Sequence, residues 1–153
     1  MYLLDTNHCS RIIEDDSAVV ERVRTVGEDQ VATCVTVYGE LIYMAHKSER
    51  RNANLARVSA FLSDIRIYFA DERVAEVYGE FKARIIAHFG PRDRRKRGRM
   101  TIERLGISEN DLWIASVAIR HDLTVVSADA DFTRMGEVWA FPLECWWQPA
   151  ASS

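Results

Sequence analysis

Met1-Tyr2-Leu3-Leu4-Asp5-Thr6-Asn7 is a short apolar run that stops abruptly at an acid, a hydroxyl and an amide. The run reads as a buried strand, and the polar residues stand where a helix should begin. A carboxylate is thereby placed at the carboxyl end of a strand. In open α/β sheets that edge is where ligands bind, so acids in comparable places elsewhere become candidates to join it. Glu40, Asp111 and Asp129 occupy such places.

Outward from this stretch, residues 10–13 continue a short helix. Ser17 opens another, with Val19, Val20, Val23 and Val26 on one side and Gly27 as its stop. Residues 31–35 are short and β-branched, which predicts a second strand. Thr36 is then placed to cap a helix carrying Val37, Leu41, Met44 and Ala45 at helical spacing. The polar stretch 46–52 leads into a helix with Leu55, Val58, Phe61 and Leu62, so a helical hairpin is expected. Residues 65–69 read as a third strand. A long helix follows, with Val74, Val77, Tyr78, Phe81, Ile85 and Phe89 inward, ended by Gly90-Pro91.

Beyond a basic loop, Ser108 starts a helix, and residues 124–126 form a fourth strand. Residues 127–132 repeat the strand-to-helix turn. Residues 138–143 with Trp146-Trp147 are expected to add an edge strand. A short disordered tail is expected from about Pro149, covering 149–153. Strands alternate with helices and no internal repeat occurs. The pattern predicts an α/β fold with a mostly parallel sheet and helices on both faces, as one domain over 1–148.

At 153 residues, 48% hydrophobic and 28% charged, the chain suits one well-packed core. Tyr2 already belongs to a strand and no apolar stretch is of membrane-spanning length, so a cytoplasmic protein is expected. Cys9, Cys34 and Cys145 are odd in number and scattered, which favours buried free thiols over a zinc site or disulfides. His8, His46, His88 and His121 offer no pair at helical ligand spacing. His8, alone near the acids, reads as a side chain packed or solvated beside the turn.

Charge is uneven. Six basic residues, Arg92, Arg94, Arg95, Lys96, Arg97 and Arg99, set against Asp93, give this segment +5; the chain total is −3, which leaves −8 elsewhere. Such a segment suits the phosphates of a nucleic acid, with arginine able to contact them in a bidentate manner. A solvated loop that only maintains solubility is the plainer alternative. If it binds a nucleic acid, Gly90, Pro91 and Gly98 leave it free to fold over the acidic cleft. Trp139, Trp146 and Trp147 read as closing a core or a subunit contact rather than as a base-stacking platform.

Each acid alone has an ordinary explanation. Asp5 and Asp129 can cap helices, Asp111 follows Ser108 at capping-box spacing, and Glu40 lies near a helix start. Capping does not explain why all four fall where strands hand over to helices, an edge that a parallel sheet gathers into one cleft. Clustered carboxylates repel, raise one another's pKa and gain from a divalent cation. Oxygen-only ligands select a hard ion, Mg²⁺ or Mn²⁺, over zinc. That chemistry suits attack of an activated water on a phosphodiester.

The stretches 3–7, 36–41, 109–115 and 126–132, with Asp5-Thr6-Asn7, Glu40, Asp111 and Asp129 at their centres, resemble the PIN-domain ribonucleases, in particular VapC-type toxins of type II toxin–antitoxin pairs. The likeness spans nearly the whole chain. It implies a three-layer α/β/α sandwich and metal-dependent endonucleolytic cleavage of RNA through Mg²⁺ or Mn²⁺. Asp5, Glu40, Asp111 and Asp129 would be both the catalytic acids and the metal ligands. Thr6 and Asn7 would support the first of them, and Asp131 would stand in the outer shell. The implied partners are an RNA substrate, an antitoxin and a second copy of the chain. His8-Cys9 departs from the apolar residues usual after the first motif, and the basic insertion is longer than compact members need. A phosphatase on a similar sheet is disfavoured because Asn7 replaces the second aspartate of the usual aspartyl-phosphate arrangement. A non-catalytic RNA-binding domain is disfavoured by the complete set of acids.

Overall fold

A computed structural model describes residues 1–148; the tail expected over 149–153 lies outside the described residues. The strands are β1 (Tyr2–Leu4), β2 (Val31–Cys34), β3 (Arg66–Tyr68), β4 (Thr124–Val126) and β5 (Leu143–Glu144). They form one sheet in the order β3-β2-β1-β4-β5, with every neighbouring pair parallel. The central strands are nearly continuous apolar runs because both faces are covered. Leu3, Leu4, Ala32, Cys34, Val125 and Val126 are all fully buried.

The helices are α1 (Thr6–Ile13), α2 (Ser17–Val26), α3 (Val35–Lys47), α4 (Arg51–Asp64), α5 (Glu72–Phe89), α6 (Arg94–Arg97), α7 (Glu109–His121) and α8 (Ala130–Val138). The chain passes from β1 through β2 to β3 on one side of β1 and returns to β4 and β5 on the other, each connection being a crossover between parallel strands. In keeping with this, α1 packs on α2, α3 and α4, while α5, α7 and α8 pack together. Large side chains such as Phe81 on α5, Leu112 and Ile114 on α7, and Phe132 on α8 are buried in the core. Each such burial stabilises by about 1.5–3 kcal/mol. The result is a three-layer α/β/α sandwich, and the expected helical hairpin is present as α3 and α4.

Several local expectations are corrected. The second strand ends at Cys34, which is also the N-cap residue of α3, so Thr36 lies inside the helix and caps nothing. Val138 closes α8, and the edge strand is confined to Leu143–Glu144. The basic loop contains a single helical turn, α6, because the Asp93 carboxylate accepts the backbone N–H groups of Arg95 and Lys96. Cys9 and Cys34 are buried as expected, but Cys145 is exposed. Among the described residues no helix is long and apolar enough to cross a membrane.

In this strand order the chain leaves β1 toward β2 on one side and reaches β4 on the other. The crevice at the carboxyl ends of β1 and β4 is therefore the topological switch point of the sheet. Asp5 follows β1, and Ser127 and Asp129 follow β4.

Candidate functional site

One cleft is lined by Asp5, Thr6, Asn7, Glu40, Met44, Ser108, Asp111 and Asp129. It contains all four acids singled out in the sequence, together with Thr6 and Asn7, drawn from α1, α3, α7 and the start of α8. Among the described residues no lysine or arginine lines it. The residues of the basic segment, 92–99, do not line it either; they sit on α6 and its flanks.

Asp5 is buried and receives several donors. Its Oδ1 accepts the backbone N–H of His8 at 2.8 Å and meets the His8 ring Nδ1 at 2.9 Å. Its Oδ2 accepts the Ser127 hydroxyl at 2.5 Å. Ser127 in turn accepts the backbone N–H of Asp129 at 3.0 Å. A chain of hydrogen bonds thus links the ends of β1 and β4. Asp5 does cap α1, and Asp129 caps α8 by accepting the Asp131 N–H at 2.9 Å. Capping and cleft lining coexist because a helix that starts at the sheet edge aims its first N–H groups into the crevice.

Glu40 is held from two sides. The Thr6 hydroxyl donates to Oε2, and the Asn110 side-chain amide donates to Oε1 at 2.7 Å. The amide that steadies a neighbouring acid is therefore that of Asn110; Asn7 lines the cleft. At α7, Ser108 Oγ accepts the N–H groups of Asn110 and Asp111. The reciprocal bond of a capping box comes from Asp131, whose Oδ2 accepts the Ser108 N–H at 3.4 Å. The Asp111 carboxylate is thus not spent on the cap.

Asp111, Asp129 and Asp131 each place one carboxylate oxygen within 4.8 Å of the others. This set shares Asp111 and Asp129 with the cleft and adds Asp131 in place of Asp5 and Glu40. The position expected in the outer shell stands as close to the shared pair as a direct ligand would. Burial, and then the negative charges of Asp129, Asp131, Glu40 and Asp5, push the Asp111 carboxyl up to about 7. Burial and Asp129 also raise Asp131, partly offset by the Ser108 N–H and by Arg134, whose guanidinium is 3.9 Å away. Excess negative charge, oxygen-only donors and a cation-free lining fit a hard divalent ion and do not fit a soft one.

Residues 2–138 match the sequence profile of the PIN domain. The chain belongs to the PIN domain family. This PIN domain is 29% identical over 129 residues to Ribonuclease VapC2 of Rickettsia felis, an alignment covering 83% of this chain and 85% of that protein. It is 30% identical over 84 residues to the tRNA(fMet)-specific endonuclease VapC of Shigella flexneri, covering 55% and 64%. Among solved structures, DNA-bound VapBC from Salmonella typhimurium superposes with a TM-score of 0.77 at 25% identity, covering 95% of this chain and 97% of that one. VapBC2 from Rickettsia felis bound to a promoter DNA fragment superposes with a TM-score of 0.72 at 27% identity, covering 95% and 98%.

The residues of this PIN domain that sequence reasoning passed over are two of the donors, Ser127 and Asn110. Ser127 and Asn110 had local signals, a small hydroxyl at a strand end and an amide in a first helical turn, but nothing in the sequence named their acceptors. His8 is fully buried against Asp5 rather than solvated. Trp146 closes that side of the core, with its ring centroid 5.2 Å from that of Tyr2, whereas Trp139 meets Phe81 and Arg84 on the opposite face.

Proposed function

We propose that this PIN domain is a metal-dependent endoribonuclease and the toxin of a toxin–antitoxin pair. The observation that carries the reading is the convergence of Asp5, Glu40, Asp111 and Asp129 on one cleft without a cation, with Asp131 adjoining. Relatives called a ribonuclease and a tRNA endonuclease, and structural neighbours that are VapBC complexes, supply the substrate class and the partner. The carboxylates of Asp5, Glu40, Asp111 and Asp129 would hold Mg²⁺ or Mn²⁺, with Asp131 beside them. A divalent ion bound there supplies charge neutralisation at the phosphate and a water acidic enough to attack phosphorus.

The chain's own residues do the rest. His8 and Ser127 fix the oxygens of Asp5, while Thr6 and Asn110 fix those of Glu40. Asp5 and Glu40 are thereby held in place against the repulsion of the neighbouring acids. Asp111, whose carboxyl is pushed up to about 7 by burial and the neighbouring acids, would release its proton to solvent on holding a cation. Arg92, Arg94, Arg95, Lys96, Arg97 and Arg99 lie outside the cleft and would contact phosphates of the RNA beyond the scissile one. An antitoxin and a second copy of the chain complete the proposed assembly.

Asp5→Asn tests the reading. Wild type is expected to cleave RNA with Mg²⁺ or Mn²⁺ and to stop in a chelator, while the variant binds RNA without cutting it. Metal-independent cleavage, or full activity in the variant, rejects the mechanism.

A further inference from the structure

His8 is completely buried at the start of α1. One edge of its ring meets Asp5, with Nδ1 2.9 Å from Oδ1. The other edge meets the chain's C-terminal segment, where the backbone N–H of Trp146 lies 3.2 Å from Nε2. An amide N–H can only donate, so Nε2 carries a lone pair and the ring proton sits on Nδ1. In this tautomer Nδ1–H points at the Asp5 carboxylate. The opposite tautomer would set a lone pair against a carboxylate oxygen and an N–H against an N–H.

The segment that selects the tautomer is itself well held. The Trp146 indole N–H donates to Glu144 Oε2 at 2.8 Å, and its ring lies edge-on to Tyr2. The Trp147 ring lies 4.2 Å from the His8 ring, centroid to centroid, and carries the Arg11 guanidinium at 3.9 Å on its surface. The imidazole is thus clamped between the first acid of the cleft and a tryptophan pair 138 positions later in the chain.

We propose that His8 is a positioning residue for Asp5, locked in its donor tautomer by the Trp146 backbone. This rests on the reading of the acids as a metal-holding site and extends it to the far end of the chain. Groups that hydrogen-bond a ligating carboxylate orient it, and their loss weakens metal binding by about 10- to 100-fold. Among the described residues, none of the C-terminal segment lines the acidic cleft; it reaches Asp5 through His8, and the end of β4 through the Glu144 carbonyl, which accepts the Ser127 N–H at 2.9 Å.

Two amide substitutions separate the two edges of the ring. His8→Asn places an amide nitrogen where Nδ1 stands and keeps the donor to Asp5. His8→Gln reaches toward Trp146 and loses that donor. Mn²⁺ affinity of the full chain, titrated without substrate, is expected to stay close to wild type in His8→Asn and to fall about 10- to 100-fold in His8→Gln. Equal losses in both, no loss in either, or the reverse order overturns the proposal. Failure of wild type to bind Mn²⁺ sinks the metal-site reading instead. A second measurement needs neither metal nor the Gln variant: imidazole ¹⁵N shifts of wild type, with the His8 signals identified by their absence in His8→Asn. A protonated Nδ1 and unprotonated Nε2 are expected, and the opposite pattern overturns the proposal.

Discussion

Ser127 Oγ donates to Asp5 Oδ2 at 2.5 Å across 122 positions of sequence, and the same oxygen accepts the Asp129 N–H at 3.0 Å. One hydroxyl therefore fixes the relative position of two acids at the ends of adjacent parallel strands. It is buried, so neither bond is readily replaced by water.

Ser127→Ala removes both bonds and leaves the Asp129 N–H and a buried carboxylate oxygen of Asp5 short of a partner. We expect a loss of about 1–3 kcal/mol, seen as a lower melting temperature, together with weaker Mn²⁺ binding. An unchanged melting temperature and affinity would show that the link is not needed.

Asp111 contributes to how the metal-free protein responds to pH. Its carboxyl sits at about 7 in the folded chain against an ordinary 3.8, so the folded state binds that proton more tightly than the unfolded state does. The stabilisation is fully present below the ordinary value and is lost as pH rises through about 7. In a chelating buffer the melting temperature should fall between about pH 4 and about pH 7. Asp111→Asn should flatten that fall, and so should saturating Mn²⁺ in wild type. An Asp111→Asn profile as steep as wild type would contradict the assignment.

Glu109 serves as a control, being an acid two residues from Asp111 that is committed elsewhere. Burial raises its carboxyl, but hydrogen bonds from Lys82 and Tyr78 win and hold it below its ordinary value. About a third of both the Lys82 and Glu109 side chains is exposed. Glu109→Gln is therefore expected to change stability by less than about 1 kcal/mol and to leave RNA cleavage near the wild-type rate. A collapse of activity in this variant would move Glu109 into the site.

The basic segment is tested by salt. Replacing Arg94, Arg95, Lys96 and Arg97 with glutamine should weaken RNA binding at low salt. It should also reduce the slope of log affinity against log salt by about 0.7 for each phosphate that is no longer neutralised. Identical binding at every salt concentration would leave the segment a solvated turn.

Much of the fold was legible in order along the chain. The β1 run, the caps at Asp5, Ser108 and Asp129, and the inward faces of α5 and α7 all depend on neighbours within one or two turns. Errors fell where a local signal had a competitor. Thr36 looks like a cap, yet the helix begins at Val35. The basic run looks unstructured, yet Asp93 captures two N–H groups and starts a turn.

Parallel β/α alternation was enough to place Asp5 and Asp129 at one sheet edge, because they directly follow β1 and β4. Glu40 lies inside α3 and Asp111 in the first turn of α7, which no strand immediately precedes, so these two join the cleft through helix packing rather than at a strand-to-helix turn. The hydrogen-bond partner of each acid was decided only in three dimensions. Asn110 reaches Glu40 across 70 positions, Ser127 reaches Asp5 across 122, and Trp146 reaches His8 across 138. Such pairings follow from strand order and helix packing, which a linear pattern of apolar and polar residues does not encode. For the same reason Asp131 read as a neighbour of the site and stands among its carboxylates: the turn at the start of α8, not the spacing, sets where its oxygens point.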